Sequence, residues 1–240
     1  NTGVIVRQTA VAATAKAPSI TGDVRFGDGD DIFDIADGSM KGNSSFGSGN
    51  NQLKLSGDAA YTGKAGFGAG ADSVALAGTS VFNGNIDFGG GADMMTLSGT
   101  SRFSGSLANS QGLAVTVSGA TLDLIGTAQI ASLAVTDNGI LGVTLGGTTD
   151  TALQVSGGAS FASGSKLSIK LSDVQSAEGD HVVVQAGTLT GAGNLTASTT
   201  LLPYLYKGSL SANANQVIVS VARKNATELE LNRSEASGFD

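Results

Sequence analysis

The sequence predicts an all-β chain, a right-handed parallel β-helix, and three observations carry that prediction. The first is repetition: FGDGDDIFDI, FGSGNNQLKL, FGAGADSVAL and FGGGADMMTL begin at Phe26, Phe46, Phe67 and Phe88. A period near 21 residues marks a solenoid, in which one rung cannot bury its apolar side alone and must stack on the next. The second is alternation. Val74 and Leu76 fall on one face and Ser73 and Ala75 on the other, and Phe82, Gly84, Ile86 and Phe88 resume the period of two. The third is composition, with 36 Gly and only 2 Pro in 240 residues. Those glycines recur at fixed points of each rung, where the backbone must turn or a side chain must be small.

Aligned by period, the first part of the chain, residues 1–105, gives a set of ladders. Phe26, Phe46, Phe67 and Phe88 form an aromatic register. Phe33, Leu53, Val74 and Met95 form a second, and Ile35, Leu55, Leu76 and Leu97 a third. Met40, Tyr61, Phe82 and Phe103 follow, then Gly42, Gly63, Gly84 and Gly105. Parallel rungs lie ~4.8 Å apart, so about eleven of them would make a rod on the order of 50 Å long.

From 106 to 223 the phrase fades but the alternation continues. Leu113–Gly119, Thr121–Gly126, Ile140–Gly147, Ala152–Gly158 and Lys166–Leu171 read as short strands ending in glycine or polar turns. His181–Gly187 and Gln216–Ala222 are more continuously apolar, as in strands buried on both faces. The stretches Asp173–Asp180 and Leu201–Gln216 break the rhythm. The second carries Leu202, Pro203, Tyr204 and Tyr206, and reads as a hairpin or loop covering the open end of the solenoid. Residues 224–240 read as the start of a helical linker. Asn225 with Glu228 makes a capping pattern ahead of Ala226–Leu231, and Ser234 begins a second short helix.

Bulk properties exclude several functions. The net charge is −7 and no basic stripe is present, so nucleic acid is not an expected partner. With zero Cys there is no disulfide, no thiol chemistry and no cysteine-based metal site. No apolar run is long enough for a membrane-spanning helix. The opening NTGVIVRQTAVAATAKAPS lacks the charged and apolar regions of a complete signal peptide, and it opens in mid-pattern, as expected of a piece of a longer chain.

The candidate sites each have a structural and a chemical reading. The Gly-x-Gly-x-Asp turns place Asp31, Asp72 and Asp93, with Asn51 in the same position, where side chains accept backbone N–H bonds in a stacked turn ladder. Calcium on those three aspartates is the alternative, although the consecutive nonapeptide pairs of calcium-binding repeats are absent. Asp28, Asp30, Asp31, Asp34 and Asp37 form the densest acidic patch. A polysaccharide-active enzyme could use such carboxylates, but only Arg25, Lys41 and Lys54 lie near, and a solvated acidic face accounts for them. His181 is the sole histidine, with no Gly-x-Ser-x-Gly elbow to serve, and reads as a strand-start residue. No catalytic residue or cofactor is assigned. The sequons at Asn43, Asn194, Asn225 and Asn232 are expected by chance in so polar a chain.

The C-terminal part resembles the end of an autotransporter passenger, the secreted part of a type V secretion protein. The resemblance is carried by the Gly-rich rungs with VSGGASF- and LGG-type strands and by GDHVVVQAGTLTGAGNL. It is carried too by ANQVIVSVARKNATELELNRSEASGFD, with its last strand, the basic pair Arg223 and Lys224, and the junction that follows. It covers most of the chain and is strongest from about Leu107 onward. It implies an extracellular stem on the surface of a Gram-negative bacterium, joined in its precursor to an outer-membrane β-barrel beyond Asp240. The region from Ser106 to Arg223 would be an autochaperone that folds first and templates the rungs behind it. The stem would display an upstream domain. Two other readings stand beside it: an adhesin or interaction module that binds a surface or periplasmic protein along the rod, and, third, the polysaccharide-active enzyme.

Overall fold

The computed structural model describes residues 2–12, 15–147, 150, 152–198, 202–232 and 236, and among these the chain is an all-β parallel solenoid. A right-handed β-helix fits this architecture. The strands make two 12-stranded sheets. The first face stacks nine strands in parallel: Ile5–Gln8, Ile32–Ile35, Gln52–Leu55, Ser73–Leu76, Met94–Ser98, Ala114–Ser118, Ser132–Thr136, Ala152–Phe161 and Gly179–Thr190. The second face runs beside it, through Ser39–Lys41, Ala60–Gly66, Val81–Asp87, Arg102–Gly105, Thr121–Leu124 and Ile140–Leu145 among others. Nine stacked strands fall short of the eleven expected from length, because the later rungs are longer and the last strands leave the parallel stack.

The rung geometry follows from the repeat. In the third repeat the FGAGAD turn feeds strand Ser73–Leu76, and Ala77–Ser80 turns the chain into Val81–Asp87. Gly84 bends that strand at φ +146, and a Cβ on it would lie 1.8 Å from the Gly63 carbonyl oxygen. Only glycine lets successive corners stack so closely. The apolar registers meet rung on rung: Phe33 on Leu53, Val74 and Met95, and Ile35 on Leu55, Leu76 and Leu97. These side chains are buried, and together they form one continuous core. Removing each such side chain from water contributes roughly 1.5–3 kcal/mol, which offsets the ordering of an otherwise local-contact-poor chain.

Beyond Leu107 the rungs lose their fixed length. Ala114 pairs with Ser132, Leu133 with Ala159, and Ala159 with Leu189, so the spacing grows toward the C-terminus. The phrase fades there because the rung length is no longer fixed, while the buried ladders continue.

The parallel stack ends in an antiparallel closure. Gln216–Arg223 pairs antiparallel with Gly179–Gln185, and Tyr206–Ala212 pairs antiparallel with Gln216–Arg223. The sequence suggested that both apolar runs are buried on both faces, and neither is. In Gln216–Arg223, Val217, Val219 and Val221 point inward and alternate with partly exposed residues. In Gly179–Thr190 a register shift between Val182 and Val184 turns both Val183 and Val184 inward while Val182 stays exposed.

The first expected helix, Ala226–Leu231, is a single turn rather than a helix. Asn225 and Glu228 do make the reciprocal cap, at 2.9 Å in both directions. One turn follows and stops at Glu230, whose φ of +57 takes the chain out of the helical region. Of the second expected helix, from Ser234, only Ala236 lies within the described residues.

Candidate functional site

The aromatic register is a true stack. Phe26 and Phe46 lie 4.7 Å apart at 2°, Phe46 and Phe67 4.5 Å apart at 7°, and Phe67 and Phe88 5.7 Å apart at 13°. Rung spacing sets the distance. A second stack joins Tyr61 to Phe82 and Phe82 to Phe103. Tyr61 is fully buried, yet its hydroxyl donates to Lys64 O at 2.9 Å and sits 2.8 Å from Ser44 Oγ. Burial pushes its phenol up from the usual tyrosine range.

The turn register is a hydrogen-bonded file. Val4 N–H donates to Asp31 Oδ1, Asp31 N–H to Asn51 Oδ1, Asn51 N–H to Asp72 Oδ1 and Asp72 N–H to Asp93 Oδ1, at 2.7–3.0 Å. Each side chain thus ties its rung to the one before. All four are buried. Among the described residues Oδ2 of Asp31, Asp72 and Asp93 has no hydrogen-bond partner, whereas Asn51 Nδ2 donates to Gly47 O and Gly49 O, both at 3.2 Å. Burial raises the carboxyls of Asp72 and Asp93 above the ordinary aspartate range, against the pull of the N–H groups they accept.

The acidic patch does not converge on a cleft. Asp28 accepts from Ser48 Oγ, Asp30 from Asn50 N–H and Asp37 from Val11 N–H, while Asp34 pairs with Arg7 at 2.9 Å. Asp31 alone points inward. Arg25, Lys41 and Lys54 form no ion pair with these carboxylates among the described residues. Also among the described residues, no group of three or more His, Cys, Asp or Glu could hold a metal ion.

His181 lies within Gly179–Thr190 rather than at its start. Its Nδ1 is 2.5 Å from Asp150 Oδ2 and its Nε2 is 2.8 Å from Ala177 O. Both ring nitrogens are engaged in holding two segments together, which leaves neither for a serine hydroxyl.

One cluster escapes sequence reading. Asp123 lies on the outer face of Thr121–Leu124 yet is buried, because the Arg102 guanidinium and the Lys170 ammonium both close on its Oδ2. Gly142 supplies the room, since a Cβ there would meet Asp123 Oδ1 at 2.6 Å. The clue was available in part: Arg102 pairs directly with Thr121, two residues from Asp123, and Gly142 pairs with Asp123 itself.

At the C-terminal end Leu202 and Tyr206 pack against the core, and Pro203 O accepts Tyr206 N–H at 2.9 Å. Tyr204 stands 73% exposed, with Lys224 Nζ 4.6 Å from its ring centroid. Lys207 pairs with Glu228 and ties the cap to the turn that follows. The inward valines of Gln216–Arg223, more than the tyrosines, seal the last rung.

No family model, no curated protein and no solved structure matches this chain.

Proposed function

We propose that this chain is the β-helical stem of an autotransporter passenger, a non-enzymatic rod at the surface of a Gram-negative bacterium that displays an upstream domain and assists its secretion and folding. The observation that carries this reading is the closed C-terminal end. There the antiparallel pair Tyr206–Ala212 and Gln216–Arg223 covers the last parallel rung and buries Val217, Val219 and Val221. Parallel pairing is non-local and slow to nucleate, but adding a rung to a formed end closes only a short loop. A hairpin-sealed terminus is the part of such a rod best able to form first and present a template. The stacked phenylalanines and turn ladder then let each new rung find its register.

The resemblance in the last strand, the Arg223–Lys224 pair and the segment after it supports a junction to an outer-membrane barrel. The deciding experiment is to sequence the parent gene past both ends of this chain. A downstream segment of alternating strands, each about ten residues long, supports the stem and directs attention to the upstream cargo. A gene that stops near Asp240 removes it and makes a free-standing β-helical binding protein or enzyme the leading account.

A further inference from the structure

The turn file holds an internal comparison. Asn51 occupies the same register position as Asp31, Asp72 and Asp93, and each side chain gives its Oδ1 to the N–H of the preceding rung. Only the second terminal atom differs. In Asn51 it is an amide nitrogen that donates to the carbonyls of Gly47 and Gly49 in its own turn. The repeat places the equivalent glycines at 68 and 70 for Asp72, and at 89 and 91 for Asp93. An ionised Oδ2 in that place is an acceptor set among acceptors, inside a turn that is 1% exposed at Asp72 and 3% at Asp93. The position calls for a donor.

We propose that Asp72 and Asp93 are proton-bearing sites, held in the folded rod as neutral carboxylic acids whose single Oδ2–H donates to one glycine carbonyl of its own turn, in the place of one N–H of the Asn51 amide. The residues after the ladder, Ile32, Gln52, Ser73 and Met94, are uncharged. Those before it are Asp30, Asn50, Ala71 and Ala92. The charged group next to the Asp93 turn is Asp87, whose Oδ1 accepts Gly89 N–H at 3.2 Å and whose Oδ2 lies 3.7 Å from Lys64 Nζ. Asp31, Asp72 and Asp93 form no ion pair among the described residues. Asp72 and Asp93 lie one rung apart, and a charge on Asp93 further disfavours one on Asp72.

The proton makes the turn stack a pH-sensitive clasp. Both carboxyls titrate higher in the rod than in the unfolded chain, where an aspartate titrates near about 3.9. Their contribution to stability is therefore full below that value, is lost as pH rises through the folded midpoints, and is absent above them. Above the midpoints the turns carry two charges facing carbonyl oxygens, and the first half of the rod is held less firmly.

Side-chain carboxyl carbon resonances of Asp72 and Asp93, followed by NMR in the full chain, test this without altering a residue. The expected result is that both titrate at higher pH than the exposed aspartates. Titration at or below the ordinary aspartate midpoint overturns the proposal. A second measurement compares the chain with the Asp72→Asn/Asp93→Asn double variant, which installs the Asn51 arrangement on both rungs. The variant is expected to melt at higher temperature than the parent near neutral pH, with a flatter dependence of Tm on pH. A variant that melts lower at neutral pH overturns it. So does a shift of the two resonances on adding calcium chloride at neutral pH, because a cation rather than a proton then fills the niche.

Discussion

Phe46 and Phe67 lie face to face, centroids 4.5 Å apart and planes 7° from parallel, although 21 positions separate them. Neither ring can shift without disturbing the other or the rings above and below, so the stack transmits register along the rod. Phe67→Ala removes a ring buried between two others and is expected to cost about 3–5 kcal/mol in a denaturant titration. A loss under about 1 kcal/mol would show that the neighbours close the gap and that the stack does not hold the register.

Gly84 gives a sharper test of rung stacking. It combines φ +146 with a site where a Cβ would lie 1.8 Å from Gly63 O, whereas Gly193 has open space and an ordinary φ. Gly84→Ala is expected to destabilise the chain by well over about 1 kcal/mol, beyond any gain from a stiffer unfolded chain. Gly193→Ala should be neutral or slightly stabilising. Equal melting temperatures for the two variants would mean that the corner can open without cost.

The Asp123 cluster predicts coupling across the outer face. Asp123 is buried while Arg102 and Lys170 remain substantially exposed, so solvent screens part of their attraction. Asp123→Asn is expected to cost about 1–2 kcal/mol, less than a fully buried pair would lose. In a double-mutant cycle with Lys170→Met, additive losses would show that the ammonium contributes nothing.

Asp87 sets an acid-side limit of opposite sign to the turn file. The Asn109 amide, bonded to Asp87 Oδ1 at 2.8 Å, is the main influence holding this carboxyl below the usual aspartate range, with help from Gly89 N–H and Lys64. Its contribution is present above the unfolded midpoint and is lost as pH falls through the folded one. Asn109 has φ +49, so Asn109→Gly removes the amide without straining the backbone. The Asp87 carboxyl midpoint, read by NMR, should then move upward. An unmoved midpoint would assign the effect to the backbone or to Lys64.

Much of this rod is written in the period of its sequence. Registers such as Phe33, Leu53, Val74 and Met95 need only a fixed offset and an alternation to be read, and those signals are local. The turn file was equally visible, but its unpartnered oxygens were not, because burial of a carboxyl depends on how tightly neighbouring turns stack. Asp123 is hidden for another reason. Lys170 reaches it from 47 positions away, over a glycine, at a spacing that no repeat announces. The closing hairpin also lacks the usual two-residue signal. Its loop is built instead by Asn213, whose Oδ1 accepts the N–H groups of Asn215 and Gln216. The turn after Asn225 stops short of a helix where one residue, Glu230, turns left-handed after a well-formed cap.

The stem reading makes a kinetic prediction about which end folds first. Val219 is fully buried in the closing hairpin and Leu53 is fully buried in an early rung. If the hairpin-sealed end is the nucleus, Val219→Ala should mainly slow refolding, with a φ-value well above zero. Leu53→Ala should mainly speed unfolding, because its contacts form after the transition state. Both substitutions are expected to destabilise by more than the roughly 0.6 kcal/mol that a usable φ-value requires. Stopped-flow refolding and unfolding limbs of the two variants separate the cases. The reverse pattern, with Leu53→Ala slowing refolding and Val219→Ala leaving it unchanged, would place the nucleus in the phenylalanine-stacked rungs. The closed end would then be a lid added last, and the autochaperone role would pass from the C-terminal region to the repeats.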